Sequence, residues 1–298
     1  MLSIDDKVTA VIVNYNAGAF LTACLRSVLP QVSNVVVVDN ASSDTSVADC
    51  KQLFANLANL KFILSESNKG FSSACNIGLD EASTPYVLFL NPDCCLDEGA
   101  VDVLLGELRA DLKTGMVGGL LLNPDGSEQA GGRRLIPTPW RSLVRVLGLK
   151  HLSNVVADFD LHKQPLPTQP VEVEAISGAC MLVRQEAIDD VGDWDEQYFL
   201  HCEDLDWCMR FREKGWKIIF APKARITHAL GVSSQSRPIF VEWHKHKGMA
   251  RFYNKFFKQK YAYPVMLLMM LGIGCRFLLL AAYLTGRRIT FAIRKAMS

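Results

Sequence analysis

The sequence predicts an α/β fold built on a mostly parallel, doubly wound sheet with helices on its faces. Two observations carry this. Short apolar runs rich in β-branched residues alternate with segments whose apolar residues recur at helical spacing, in the order β-α-β-α-β-α-β. Chains of that order lay their strands parallel through right-handed crossovers. A third feature places the chemistry. Strands end at amides or carboxylates: Asn14 and Asn16, Asp39, and Asn91-Pro92-Asp93. Open α/β sheets bind ligands at the carboxyl ends of their strands.

Residues 8–13 read as the first buried strand. Residues 18–29 follow as a helix, with Phe20, Leu21, Cys24, Leu25 and Val28 on one face. The second strand, 35–38, stops at Asp39-Asn40, and Ser42-Ser43-Asp44 offers capping groups for a helix over 45–57. A strand at 61–64 leads through Asn68-Lys69-Gly70 into a helix over 71–82, and the wholly apolar strand 86–90 ends at Asn91. A helix over 99–110 and a strand over 116–122 come next, closed by an Asn-Pro-Asp-Gly turn in which Asp125 is a turn residue. From Gly131 to Pro170 five prolines leave an irregular stretch, the kind of long loop that is functional or mobile. The pair Arg133-Arg134 at its start reads equally as a phosphate contact or a solvated basic pair. Strands over 171–176, 179–183 and 217–220 follow, with 224–227 leading to His228 and a helix opening at Glu203-Asp204. Acids in a first helical turn complement the helix dipole, which explains one of Glu203, Asp204 and Asp206 better than all three.

The first β-α turn carries neither G-x-G-x-x-G nor a P-loop, which argues against a nicotinamide enzyme and a P-loop kinase. Nine scattered cysteines and no secretory pattern lead to an expectation of reduced thiols in the cytosol. Asn-Pro-Asp taken alone is a good turn. Alongside the other strand-end groups, Asp93 is expected to hold a divalent ion that holds a diphosphate.

These residues together resemble inverting family 2 glycosyltransferases of the GT-A fold, and more narrowly a rhamnosyltransferase-like branch that builds bacterial surface polysaccharide. The matching stretches are Val-Ile-Val-Asn-Tyr-Asn (11–16), Val-Asp-Asn-Ala-Ser-Ser-Asp (38–44), Asn-Lys-Gly-Phe (68–71), Asn-Pro-Asp (91–93), Ser-Gly-Ala (177–179), Glu-Asp-Leu-Asp-Trp (203–207) and Thr-His (227–228). The resemblance implies a GT-A, Rossmann-like domain over 1–240, with a nucleotide-binding half to about 122 and an acceptor half beyond it. It implies a nucleotide-sugar site of Asn14, Asn16, Asp39, Asn68, Gly70, Asn91 and Arg133. It implies Mn²⁺ or Mg²⁺ on Asp93 and His228, and a base at Asp204 or, second, Glu203. Asn91 stands where the family's DxD motif has its first Asp, which leaves one carboxylate fewer for the ion. The implied donor is dTDP-rhamnose or a UDP-sugar. The implied acceptor is a polyprenyl-diphosphate-linked glycan at the cytoplasmic face of the cell membrane. A nucleotidyltransferase and a non-catalytic nucleotide-sugar binder are the competing readings.

Net charge is +1, but residues 241–298 hold 11 Lys and Arg against the single acid Glu242. Basic and aromatic residues interleave over 243–261, a pattern that also serves nucleic acid. The stretch 264–284, 21 residues with Arg276 as its one charge, decides against nucleic acid and points to an anionic membrane surface. A central Arg opposes insertion by about 3 kcal/mol. Residues 287–297 plot as a basic amphipathic helix, with Arg287, Arg288, Arg294 and Lys295 on one arc. In-plane or re-entrant attachment is therefore expected over a span. A helix pair packed on the catalytic domain or in a homodimer is the alternative.

Overall fold

Apolar β-branched runs assemble first. β1 (Val8–Asn14) and β2 (Asn34–Asp39) pair in parallel with Asn14 opposite Asp39. β3 (Leu60–Leu64) continues in parallel beyond β2, and β4 (Tyr86–Leu90) lies on the other side of β1 with Ile12 opposite Leu90. The carboxyl ends of these strands therefore share one edge. This computed structural model describes residues 7–146, 159–229 and 237–297.

The second half of the sheet is mixed. β5 (Cys94–Leu96) follows β4 directly, and β6 (Thr114–Leu122) is buried along its whole length. β10 (Cys180–Arg184) enters antiparallel between β4 and β6, and β11 (Lys217–His228) runs parallel to β6 and antiparallel to β5. The order is β3-β2-β1-β4-β10-β6-β11-β5, with β8 (Val171–Glu172) paired to β11. β7 (Arg133–Arg134) and β9 (Ala175–Ile176) form a separate two-stranded ribbon.

Several expectations change here. The single strand expected over 171–176 is two, because residues 171–172 and 175–176 pair with different partners. Residues 217–220 and 224–227 are one strand, broken in register between Ala221 and Arg225, where Pro222 withdraws a ladder donor. The irregular stretch contains β7, α5 (Pro139–Val146) and a 3₁₀ turn at Leu161–Lys163, and residues 147–158 lie outside the described residues.

The helices cover the sheet with their apolar faces. α1 (Ala19–Val28) buries Leu21, Cys24, Leu25 and Val28, and α4 (Ala100–Ala110) buries Val101, Leu104, Leu105 and Leu108. α2 (Ser46–Leu53) packs with α1. α3 (Phe71–Leu79) lies on β1 and β2 so closely that a Cβ at Gly78 would stand 2.3 Å from Val11 Cγ1. α6 (Gln185–Val191) and α7 (Glu203–Glu213) complete this body. Trp207 of α7 packs with Trp194, Phe89 and Phe71 in a cluster that is mostly edge to face, with Trp194 and Trp207 centroids 4.2 Å apart.

The chain forms two compact units. Among the described residues, one comprises 7–136, 159–199 and 203–229, and the other 137–146, 200–202 and 237–297. In the second, α8 (Pro238–Phe257) and α9 (Tyr263–Met297) pack together and α5 touches α9, while the Ser142 and Tyr253 hydroxyls lie 2.6 Å apart. α9 turns Met266 and Ile273 inward and leaves Leu268, Leu271, Leu278 and Leu279 exposed. Its stretch Tyr263–Arg287, 25 residues, is long and apolar enough to cross a bilayer. Arg276 does not stand alone in it: its Nη1 donates to His246 Nε2 on α8 at 3.0 Å. The far basic arc expected at Arg288, Arg294 and Lys295 lies outside the described side chains.

Candidate functional site

The edge where the parallel strands end is built by amides. Asn14 is wholly buried, and its Nδ2 reaches Asp39 Oδ1 (2.7 Å), Ser42 Oγ (3.0 Å) and Ser46 Oγ (2.9 Å). Its expected donor contact is thereby corrected: Asn14 acts on Asp39, whose Oδ2 takes the Ser42 backbone N–H. Asn16, at φ 52°, accepts the N–H groups of Ser43 and Asp44 on its Oδ1, so it shapes the same loop. Asn68 Oδ1 accepts from Gly70 N and from Asn40 Nδ2, and Asn40 also reaches the Gly70 carbonyl. Gly70 has φ 91° and a Cβ there would sit 2.7 Å from the Phe199 carbonyl, so only glycine fits. Asn40 was not among the expected site residues, although it stands beside Asp39.

The triplet after β4 is tied to a distant segment. Asn91 N–H donates to the Ala179 carbonyl at 2.9 Å, and the buried Asp93 carbonyl accepts from Ala229 N–H at 3.0 Å. Strand pairing sets His228 opposite Cys94. Its Nε2 lies 3.2 Å from Asp93 Oδ1 and 3.5 Å from Asn91 Nδ2, while Nδ1 lies 2.7 Å from Gln129 Oε1. Asp93, Cys94 and His228 cluster closely enough to hold one metal ion. An oxygen and an imidazole nitrogen suit Mn²⁺ or Mg²⁺. Adjacent ligands about 2.1 Å from such an ion stand about 3 Å apart, which matches the Asp93–His228 separation. Cys94 does not fit: its thiol donates to the Ala179 carbonyl, and burial pushes it well above the usual thiol range. The donor set therefore accepts a hard divalent ion on Asp93 and His228.

Asp204 arrives through the same crossing point. Its Oδ2 accepts from Gly178 N–H at 3.2 Å and pairs with Arg134 Nη2, and its Oδ1 takes the Leu205 N–H at 2.7 Å. Because Gly178 adjoins Ala179, which holds Asn91, the triplet and Asp204 meet across two residues of backbone. A carboxylate offers about four acceptor sites. Three are engaged among the described residues, and the fourth, on Oδ1, remains for an incoming proton.

The other two acids of α7 separate by surroundings. Asp206 is fully buried and pairs with Arg210 Nε at 2.8 Å, while Arg210 also caps the carbonyls of Val191, Gly192 and Asp193. Glu203 is buried, with no hydrogen-bond partner on Oε2 among the described residues. Burial and the neighbouring Asp204 push its carboxyl up to about 8, against a smaller opposing pull from Arg134.

Arg133 requires a further correction. It is buried, its guanidinium forms a two-pronged pair with Glu128 (2.7 and 3.2 Å), and it also reaches the Gln164 carbonyl, so it does not face a donor. Its neighbour Arg134 is the one at Asp204. The residues that sequence reasoning missed are Arg134 and Gln129. The double arginine was the signal for Arg134, and nothing in the sequence marked Gln129.

Comparison with known proteins agrees with this construction. Residues 9–192 match the family described as "Glycosyl transferase family 2", and residues 151–293 match "Glycosyl transferase family group 2". The chain is 27% identical over 237 residues to N-acetylglucosaminyl-diphospho-decaprenol L-rhamnosyltransferase of Mycobacterium tuberculosis, covering 75% of this chain and 76% of that protein. It is 26% identical over 223 residues to the low-salt glycan biosynthesis hexosyltransferase Agl10 of Haloferax volcanii, covering 72% and 64%. In fold it resembles a Pyrobaculum calidifontis mannosyltransferase solved with GDP-Man and Mn²⁺, at TM-score 0.58 and 15% identity over 98% of this chain and 81% of that one. It also resembles GalNAc-T7 solved with UDP, GalNAc and Mn²⁺, at TM-score 0.61 and 17% identity, over 83% of this chain and 47% of that one. The chain is a glycosyltransferase and belongs to glycosyl transferase family 2.

Proposed function

We propose that this glycosyltransferase moves one sugar, with inversion, from a nucleotide-diphosphate donor to a polyprenyl-diphosphate-linked glycan at the cytoplasmic face of the membrane. The observation that carries it is that Asp204 and Asn91 are tied to the adjoining residues Gly178 and Ala179, with Asp93 and His228 beside Asn91. A site of this kind handles a leaving diphosphate and an attacking hydroxyl side by side. Asp93 and His228 would hold Mn²⁺ or Mg²⁺, which supplies positive charge for the departing diphosphate.

The chain's own groups divide the remaining work. Asp39, steadied by Asn14, faces the nucleoside. Asn91 shapes the turn and offers its amide to the donor. Asp204 takes the acceptor proton on its free Oδ1 lone pair, a role that contributes about 10²–10⁴-fold. Arg134 holds that carboxylate in place. Glu203 is the poorer base because it retains its proton near neutral pH and is buried without a partner on Oε2.

The rhamnosyltransferase relative favours dTDP-rhamnose, and the hexosyltransferase relative keeps a UDP-sugar as the second reading. The exposed apolar face of α9 and the basic residues of α8 fit attachment to anionic lipid. Nucleotide release should be measured with a panel of nucleotide sugars and a lipid-linked acceptor, with and without Mn²⁺. Released nucleoside diphosphate supports the reading, and pyrophosphate refutes it. Asp204→Asn should abolish release while donor binding by calorimetry stays near normal.

A further inference from the structure

Gln129 is a buried amide placed between the turn after β6 and the end of β11. Its backbone N–H donates to the Leu121 carbonyl at 2.9 Å, and its side chain is 3% exposed. The orientation of that side chain is determined by its partners. The His228 backbone carbonyl can only accept, and the Gln129 atom facing it at 3.1 Å must therefore be the NH₂ group. Asn123 Oδ1, 3.2 Å from the same nitrogen, is a second acceptor. The other end of the amide is then the oxygen, and it lies 2.7 Å from His228 Nδ1. An oxygen acceptor at that distance demands a proton on Nδ1. In a neutral imidazole the lone pair is then on Nε2, which faces Asp93 Oδ1 at 3.2 Å. Asn91 Nδ2, 3.5 Å away, is a donor and is compatible with that lone pair.

We propose that Gln129 is a positioning residue that holds His228 in its Nδ1–H form and so aims the Nε2 lone pair at the Asp93 site. The same amide grips the His228 carbonyl, so ring and backbone are set by one side chain. The use of this lone pair rests on the metal reading above; the geometry does not. Side chains that orient a metal-binding histidine in this way change metal affinity by about 10–100-fold when removed.

The test uses the full chain labelled with ¹⁵N-histidine, and His228→Ala assigns the His228 signals. Two-bond ¹⁵N–¹H spectra of the metal-free protein, taken where its histidines are neutral, report which ring nitrogen is protonated. The native protein should show the Nδ1–H pattern, and Gln129→Ala should lose it. Gln129→Glu keeps an acceptor oxygen and should restore it. Mn²⁺ titration followed by water-proton relaxation should show affinity about 10–100-fold weaker in Gln129→Ala and largely recovered in Gln129→Glu. Gln129→Glu sets its second oxygen against the His228 carbonyl and should melt lower, so return of the Nδ1–H pattern in that less stable variant separates positioning from folding. A native spectrum with Nδ1 unprotonated overturns the proposal, as does a Gln129→Ala protein with native tautomer and native Mn²⁺ affinity. If the tautomer responds as stated but no variant binds Mn²⁺, Gln129 keeps its positioning role and the metal reading fails.

Discussion

Glu203 offers a measurable consequence of how α7 is built. Its carboxyl is pushed from 4.5 up to about 8 by burial and by Asp204. The folded chain therefore holds a proton that the unfolded chain releases once pH exceeds 4.5. With more protons bound in the folded state, stability falls as pH rises. This contribution is fully present below the unfolded value, declines between about 4.5 and 8, and is flat above. Each pH unit in that window is worth about 1.4 kcal/mol, so at pH 7 the loss is about 3 kcal/mol. Glu203→Gln keeps the shape and neutrality of the protonated group and has no such slope. Melting temperatures at pH 5, 6, 7 and 8 should thus diverge, the variant gaining several degrees on the native chain by pH 8. Donor turnover by the variant should stay within about tenfold of native, in contrast to Asp204→Asn. Parallel stability curves for the two proteins would refute a Glu203 held protonated by burial. A loss of turnover as deep as that of Asp204→Asn would return it to the base role.

Other perturbations follow from the same contacts. Arg134→Ala removes a charge-assisted bond to Asp204 worth about 1.5–3 kcal/mol, so kcat should fall about 10–100-fold while Mn²⁺ affinity, read by calorimetry, holds. Arg134→Lys should recover only part, since a single nitrogen, Nη2, serves both Asp204 and the Ile176 carbonyl and the lysine ammonium lies one bond nearer the backbone. Gly78→Ala forces a methyl against Val11 and should cost about 1–3 kcal/mol in a denaturant melt, with Val11→Ala in the same chain restoring part of it. Removal of residues 262–298 should abolish partition onto vesicles of anionic lipid while nucleotide-sugar binding persists; unchanged partition would dismiss α9 as the anchor.

Local pattern made the parallel half of the sheet legible, because residues 8–13, 35–38 and 86–90 are buried on both faces and read as near-continuous apolar runs, while 61–64 is a partly exposed edge strand marked by Phe62 and Ile63. It failed where pairing is non-local. β10 is apolar like its neighbours, and nothing in Cys180–Arg184 declares that it enters antiparallel. β7 is two residues long and takes its strand character from β9, some 40 positions away. The same limit explains the arginines. Alternate strand residues point to opposite faces, so one of Arg133 and Arg134 had to turn inward and the other toward Asp204. Register decides which, and register comes from the Arg133–Ile176 pairing. The three acids of α7 were read together because they share a helical turn. Their separate fates depend on Arg210, Gly178 and Arg134, none of which is local to all three.

The triplet that begins with an amide is half of a site, and the fold supplies the other half. Asn91 removes one carboxylate from the position where a second acidic ligand would stand. Strand pairing compensates at a different point in the chain. β5 follows Asp93 at once and pairs with the end of β11, which sets Cys94 opposite His228 and ties Asp93 to Ala229. In the proposed metal site the His228 imidazole would stand in for the missing carboxylate, and the Asn91 amide can hydrogen-bond where a carboxylate would have added repulsion. One consequence concerns charge. A site with one carboxylate and one imidazole neutralises less of a divalent ion than two carboxylates would, so more of its charge is left to attract a diphosphate. Asn91→Asp should therefore tighten Mn²⁺ binding while weakening the added affinity that Mn²⁺ confers on the nucleotide sugar. Calorimetry of the ion alone, and of the donor with and without it, separates the two effects. If Asn91→Asp strengthens both together, His228 does not stand in for the missing carboxylate.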